Sequence, residues 1–174
     1  MTVLQKKICM LGAAGVGKTS LVRRYVESIF SERYQATVGV KIDRRVVTLD
    51  STTLNLMLWD LQGEAQHQAT RLEYLRGAAG YLLVTDATRR ETLEIALDIS
   101  RRVATVVPGV PSLIVVNKAD LTGEIDIGEP LLADLRARGH IVVETSARTG
   151  QGVEEAFGAL ARRLVAEHVP VGEA

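Results

Sequence analysis

The sequence contains one cysteine, Cys9, inside an apolar run, and three histidines. That scarcity excludes a disulfide framework and a Cys/His zinc cluster, and it suits a reducing compartment. Charge of one sign is also missing. Lys plus Arg number 21 and Asp plus Glu 21, a net charge of zero, so the chain lacks the basic footprint of a nucleic-acid binder or a polybasic membrane segment. No long apolar run occurs. The stretch from Met1 through Gln5-Lys6-Lys7 into Ile8 is too short for a signal peptide or a spanning helix. The carboxyl end offers no cysteine for prenylation, and Met1-Thr2 lacks the glycine that myristoylation requires. These features predict a cytoplasmic protein with no lipid anchor encoded in this chain. Repeats and low-complexity segments are absent too, which excludes solenoids and linkers.

What is present fits one domain over residues 1–174, since domains run to roughly 100–200 residues each. With 47% hydrophobic and 24% charged residues, the chain can bury about two thirds of its surface and fold unaided. Short, nearly continuous apolar runs stand at Ile8-Cys9-Met10-Leu11, Tyr81-Leu82-Leu83-Val84, Leu113-Ile114-Val115-Val116 and Ile141-Val142-Val143. Such runs read as strands covered on both faces of a parallel sheet. Between them, apolar residues recur at helical spacing, as in Leu21, Val22, Tyr25 and Val26, or Val153, Ala156, Phe157, Leu160 and Leu164. Val40 to Leu49 and Leu54 to Asp60 break the alternation, forming a hairpin joined at Asp50-Ser51-Thr52. The expected fold is a three-layer α/β domain. It has a six-stranded, mostly parallel sheet with one antiparallel edge strand and about five helices. Ligands of such folds sit at the carboxyl ends of the strands.

The first strand is followed by Gly12-Ala13-Ala14-Gly15-Val16-Gly17-Lys18-Thr19, which satisfies the phosphate-loop pattern in the required strand-to-helix context. Its glycines let successive N–H groups turn toward phosphate oxygens, the helix adds its positive end, and Lys18 adds a point charge. The Thr19 hydroxyl is placed to ligate Mg²⁺. After the third strand comes Asp60-Leu61-Gln62-Gly63, where Asp60 can hold the magnesium ion through water and Gly63 can offer its N–H to a terminal phosphate. After the fifth comes Asn117-Lys118-Ala119-Asp120. A carboxylate there accepts hydrogen bonds from guanine N1–H and its 2-amino group, whereas adenine presents an acceptor. After the sixth, Thr145-Ser146-Ala147 can direct backbone N–H groups at the guanine 6-oxygen. Together these motifs predict a guanine nucleoside triphosphate as ligand.

These motifs, in this order from Lys7 to about Leu164, make the chain resemble the Ras superfamily of small GTPases, P-loop NTPases with a Ras-like G domain. The Rab branch is the most similar, through Tyr34, Thr37-Val38-Gly39-Val40, Trp59-Asp60, Tyr74, Arg76-Gly77-Ala78 and Glu144-Thr145-Ser146-Ala147. The resemblance implies a GTP/GDP switch with slow intrinsic hydrolysis and GTP/GDP plus Mg²⁺ as cofactors. It also implies effectors bound through the switch regions, a GTPase-activating protein and an exchange factor. It places Phe30 on the guanine, Thr37 on Mg²⁺ when the γ-phosphate is present, the Lys118 stem against the base, and Asn117 bracing the loops. Ala14, Gly15, Val16, Ser20, Tyr34, Leu121 and Arg148 join the nucleotide contacts by the same resemblance. Thr19, Thr37 and Asp60 form the metal set, and Lys18, Thr37, Gly63, Glu64 and Gln62 the catalytic one.

The sequence departs from the family at the glutamine after the second-switch glycine, which here is Glu64. Ionised glutamate accepts a hydrogen bond from water but cannot donate one toward the phosphoryl group, and it sets negative charge beside a polyanion. If protonated, it could donate. The alternative implied is a GTP-binding module with impaired hydrolysis. Gln62, Gln66, His67 and Gln68 lie nearby; Gln62 is the better substitute for the missing glutamine, and each also reads as an ordinary loop residue. Lys41-Ile42 and Gln66-His67 replace pairs that face effectors in the Rab branch, which argues against Rab-like vesicle targeting. Arg33 reads as a solvated switch arginine.

Overall fold

The computed structural model describes residues 1–33, 35–65 and 69–168. Its elements in chain order are β1 (Thr2–Gly12), α1 (Lys18–Glu27), β2 (Val40–Leu49), β3 (Thr52–Leu61), a 3₁₀ turn (Leu72–Leu75) and β4 (Ala78–Asp86). Then come α2 (Glu91–Val103), β5 (Ser112–Asn117), α3 (Glu129–Ala137), β6 (Val142–Glu144) and α4 (Val153–Ala166). The strands form one sheet in the order β2-β3-β1-β4-β5-β6. Among the described strands only the β2–β3 pair is antiparallel, and the strand order leaves β2 at an edge.

The pleat explains why β1 is apolar without interruption. Successive side chains point to opposite faces of a strand. Ile8 and Met10 join Leu56, Leu58, Leu82, Val84, Leu113 and Val115 beneath α1 and α4, where Phe157 and Leu160 meet them. Cys9 and Leu11 join Tyr81, Leu83, Ile114 and Val116 on the other face, against Leu93 and Ala96 of α2 and Leu132 and Leu135 of α3. Two cores therefore share one sheet. Tyr25 of α1 stacks on Phe157 of α4 with ring centroids 4.0 Å apart, locking the two helices on the first face.

Among the described residues, the helical piece between β3 and β4 is shorter than the four α-helices: a single 3₁₀ turn. Leu72 and Leu75, three residues apart, pack on the second core, a spacing that 3₁₀ geometry eclipses onto one side. Gly77, with φ +74°, then turns the chain into β4. None of the described helices is long and apolar enough to cross a membrane.

Cys9 is wholly buried, and that burial pushes its thiol up to about 12 against the opposing charge of Lys7. Its reaction with a thiol reagent at pH 8 is expected to be at least about 10³-fold slower in the folded protein than in urea. The core must open for the thiolate to form, at a cost of about 5 kcal/mol or more. Rapid labelling of the native protein would contradict this packing.

Candidate functional site

β1 ends at Gly12 between β3 and β4, at the centre of the sheet, and the chain loops over its carboxyl edge into α1. Gly17 caps α1 with φ +102°, and a Cβ there would stand 2.2 Å from Asn117 Nδ2. Only glycine permits both the turn and that approach. No side chain caps α1 and no acidic residue occupies its first turn, so its positive end is not neutralised locally and favours an anion. Lys18 is 6% exposed, with Nζ donating to the Ala13 carbonyl at 2.8 Å and the Gly12 carbonyl at 3.2 Å. Burial lowers its ammonium to about 8, Asp60 opposing and Arg89 adding to the shift. A cation held in this way is stabilised by polyanion oxygens.

Beside it is a corner of oxygen donors. Thr19 Oγ1 lies 2.7 Å from Thr37 Oγ1 and donates to Asp60 Oδ2 at 2.5 Å. Asp60 is 1% exposed, and its Oδ1 has no hydrogen-bond partner among the described residues. Burial raises its carboxyl pKa above the usual range, against the Thr19 hydrogen bond and the charge of Lys18. Two hydroxyls and a buried carboxylate with an unsatisfied oxygen fit a hard, oxygen-seeking ion such as Mg²⁺.

At the far end of the loop, β5 delivers Asn117 and Lys118. Asn117 Nδ2 donates to the Val16 carbonyl at 3.0 Å, and its Oδ1 accepts from Thr145 Oγ1 at 3.1 Å and the Ala147 amide at 3.2 Å. One side chain thus joins the phosphate loop to the loop after β6. Lys118 sits at φ +65°, its Nζ 2.8 Å from the Gly15 carbonyl and 2.8 Å from Asp86 Oδ2. Asp120 Oδ1 accepts from Ser146 Oγ at 2.8 Å. A cavity of about 450 Å³ runs between these ends. Its walls include Ala14, Gly15, Gly17, Lys18, Thr19, Ser20, Phe30, Thr37, Gln62, Gly63, Asn117, Lys118, Asp120, Leu121, Ala147 and Arg148. Gly12, Val16, Asp60, Ser146 and Glu64 stand outside that lining. Tyr34 lies outside the described residues, as do Gln66, His67 and Gln68.

The two segments meant to switch touch each other. Gln62 donates its amide to the Gly39 carbonyl at 2.8 Å, and its Oε1 accepts from the Gly39 amide at 3.2 Å. Glu64 faces away from the cavity: Arg102 of α2 holds both its oxygens at 2.7 Å, and Thr70 donates to Oε2 at 3.0 Å through its hydroxyl. Arg33 is exposed.

Sequence reasoning passed over three residues here. Asp86 ends β4, and its side chain, 2% exposed, gathers Lys118, Thr88 and Arg89. Burial works to raise its carboxyl, but the hydrogen bonds from Lys118, Thr88 and Arg89 outweigh it and hold the pKa below the usual value. A carboxylate closing a strand of buried residues is a readable signal, the same one that marked Asp60. Arg24 of α1 supports the loop after β6 by donating to Ala147 and Arg148 carbonyls, the first at 2.7 Å. Arg102 grips Glu64 from a helix. Neither of these pairings has a local sequence mark, because Ala147, Arg148 and Glu64 are remote in the chain from the arginines that reach them.

The pattern of the Ras family matches residues 7–166. The chain is 35% identical over 163 residues to the Ras-related protein Rab-4B of Rattus norvegicus, covering 91% of this chain and 76% of that protein. It is 34% identical over 172 residues to Ras-related protein Rab-7b of Mus musculus, covering 96% and 86% respectively. With Ras-related protein Rab-4 of Dictyostelium discoideum it shares 34% identity over 153 residues.

Proposed function

The chain belongs to the Ras family, and from that premise we propose that it is a GTP/GDP switch that hydrolyses GTP slowly. The observation carrying this reading is the convergence on one cavity of a buried lysine, an uncapped helix start, an oxygen corner and the Asn117–Asp120 segment. Lys18 and the amides of residues 13–17 take the phosphates, Asp120 reads the guanine edge, and Phe30 with the Lys118 stem flanks the base. Leu121, Ser146, Ala147 and Arg148 close the base pocket. Thr19, Thr37 and Asp60 would hold Mg²⁺, which would supply charge neutralisation for the phosphates. Gln62 and Gly63 line the same cavity as Thr19 and Thr37.

The exchange of hydrogen bonds between Gln62 and Gly39 couples the two segments, so a change of phosphate number at one alters the surface of both. Val38 and Ile42, 86% and 45% exposed, supply apolar contact area to effectors there. A GTPase-activating protein and an exchange factor set the lifetimes of the two states.

A second reading has its own support: the Glu64 carboxylate is occupied by Arg102 and Thr70 and does not line the cavity. On that reading the chain binds GTP and hydrolyses it poorly or not at all. Single-turnover release of γ-phosphate from GTP-loaded protein in Mg²⁺, with Glu64→Gln in parallel, separates the two. The switch predicts slow release, on the order of 10⁻⁴–10⁻³ s⁻¹ without a partner. The binding module predicts none, restored by Glu64→Gln. Failure to bind GTP at all would sink both.

A further inference from the structure

The segment Gly63–Glu64 is fastened across the phosphate loop at two levels. Its backbone pairs with the loop, the Glu64 amide donating to the Gly12 carbonyl at 3.0 Å and the Ala14 amide donating to the Glu64 carbonyl at 2.9 Å. Its side chain is fastened to α2. Arg102 Nη2 meets both Glu64 oxygens at 2.7 Å, and Asp98, one turn earlier, orients the same guanidinium through Nε at 3.0 Å. Thr70 completes the carboxylate through its hydroxyl and its amide, the latter at 3.3 Å. The arginine and glutamate side chains are 30% and 19% exposed. A charge-assisted pair with this geometry is stronger than an isolated surface bridge.

This fastening covers the phosphate loop at Ala14. A Cβ on Gly63 would stand 2.5 Å from Ala14 Cα and 2.9 Å from Lys18 Nζ. The strap therefore lies directly against the loop at Ala14, and its Glu64 carbonyl takes the Ala14 amide, a loop donor that a bound phosphate oxygen would otherwise receive. A terminal phosphate that takes the Ala14 amide has to displace the Glu64 carbonyl from it.

We infer that Arg102 is a specificity-determining residue: by holding the Glu64 carboxylate it keeps the Gly63–Glu64 strap on the phosphate loop and biases the site toward the nucleoside diphosphate. It acts through Glu64 without touching nucleotide, so it is a positioning residue. A ligand shifts a two-state element only through its different affinity for the two states, and cutting the strap's anchor lowers what the triphosphate must overcome. The inference rests on the guanine-nucleotide reading of the cavity.

The test is equilibrium competition of GDP and the β,γ-imido analogue of GTP against a fluorescent GDP in Mg²⁺. It compares the natural protein with Arg102→Ala, Arg102→Lys, Glu64→Gln, and the double variant Arg102→Ala with Glu64→Gln. Arg102→Ala is expected to raise the triphosphate-to-diphosphate affinity ratio by about 10-fold, within the usual span of coupling between sites, with diphosphate affinity unchanged. Arg102→Lys keeps the charge but loses the fork and should fall between the two. Glu64→Gln should resemble Arg102→Ala, and the double variant should add nothing further, because both remove one interaction. An unchanged ratio in both single variants overturns the inference. So does an equal shift for both nucleotides, the mark of a merely structural role, or full additivity in the double variant. Binding of neither nucleotide by the natural protein would overturn the guanine-nucleotide reading itself, an outcome distinct from an unresponsive ratio.

Discussion

Asp120→Asn is expected to weaken GTP binding by about 10³-fold while leaving the fold intact. The carboxylate presents only acceptors, matching the two donors on the guanine edge. An amide keeps one acceptor and turns an N–H₂ group toward a donor, so one charge-assisted bond is lost outright and the other loses its charge. At about 1.5–3 kcal/mol for each such bond, the loss falls at roughly 10²–10⁴-fold. The local structure tolerates the change, because Ser146 Oγ donates to Asp120 Oδ1 at 2.8 Å and can donate equally to an amide oxygen. Xanthosine triphosphate, which carries a carbonyl where guanine has its 2-amino group, should bind the variant better than GTP does. Competition titrations of the three nucleotides, GTP, ATP and xanthosine triphosphate, check this. A loss below about 5-fold, or ATP competing as well as GTP, would show that Asp120 does not read the base.

The sheet and most of the cavity were legible because their signals are local. Continuous apolar runs of both parities, as in Ile8 to Leu11, encode a strand buried on both faces, and β1 fills both cores in just that alternation. Likewise the glycines and Lys18 encode the loop by spacing alone, and Asn117 and Asp120 stand where a strand end predicts them. Contacts joining distant parts of the chain were not legible. Glu64 could be seen to replace a glutamine, but its direction depends on Arg102, 38 residues later, on a helix whose other residues fix its rotation. Arg102 occupies an ordinary polar position in α2, and its pairing appears only when that helix is packed on the sheet. The helical piece between β3 and β4 is short for a related reason: Leu72 and Leu75 supply apolar spacing for a single turn. Asp86 is the exception, since its place at the end of β4 is itself a local signal.

Lys18→Met is expected to lower GTP affinity by about 10³-fold without the stability loss that truncating a core residue brings. Two opposing effects meet at this side chain. Its ammonium is buried, and its pKa stands at about 8, chiefly from that burial. A lysine whose folded pKa lies below its unfolded one opposes folding fully below the folded value, and the penalty fades as pH rises toward the unfolded one. At pH 7 the charged Lys18 therefore costs stability, and methionine, of similar length, removes that cost. Against this stand the hydrogen bonds from Nζ to the Gly12 and Ala13 carbonyls, whose loss strands two acceptors at about 1 kcal/mol or more each. The net change in urea unfolding of nucleotide-free protein should lie within about 1 kcal/mol of zero, whereas a buried truncation costs about 2–5. Binding has no such compensation, because the charge that is unfavourable in the free protein becomes favourable once phosphate oxygens surround it. Unfolding at pH 7 and nucleotide competition, measured on the same preparation, test both halves. A variant that unfolds several kcal/mol more easily would make Lys18 a structural residue, and one that keeps its affinity would remove it from the phosphate site.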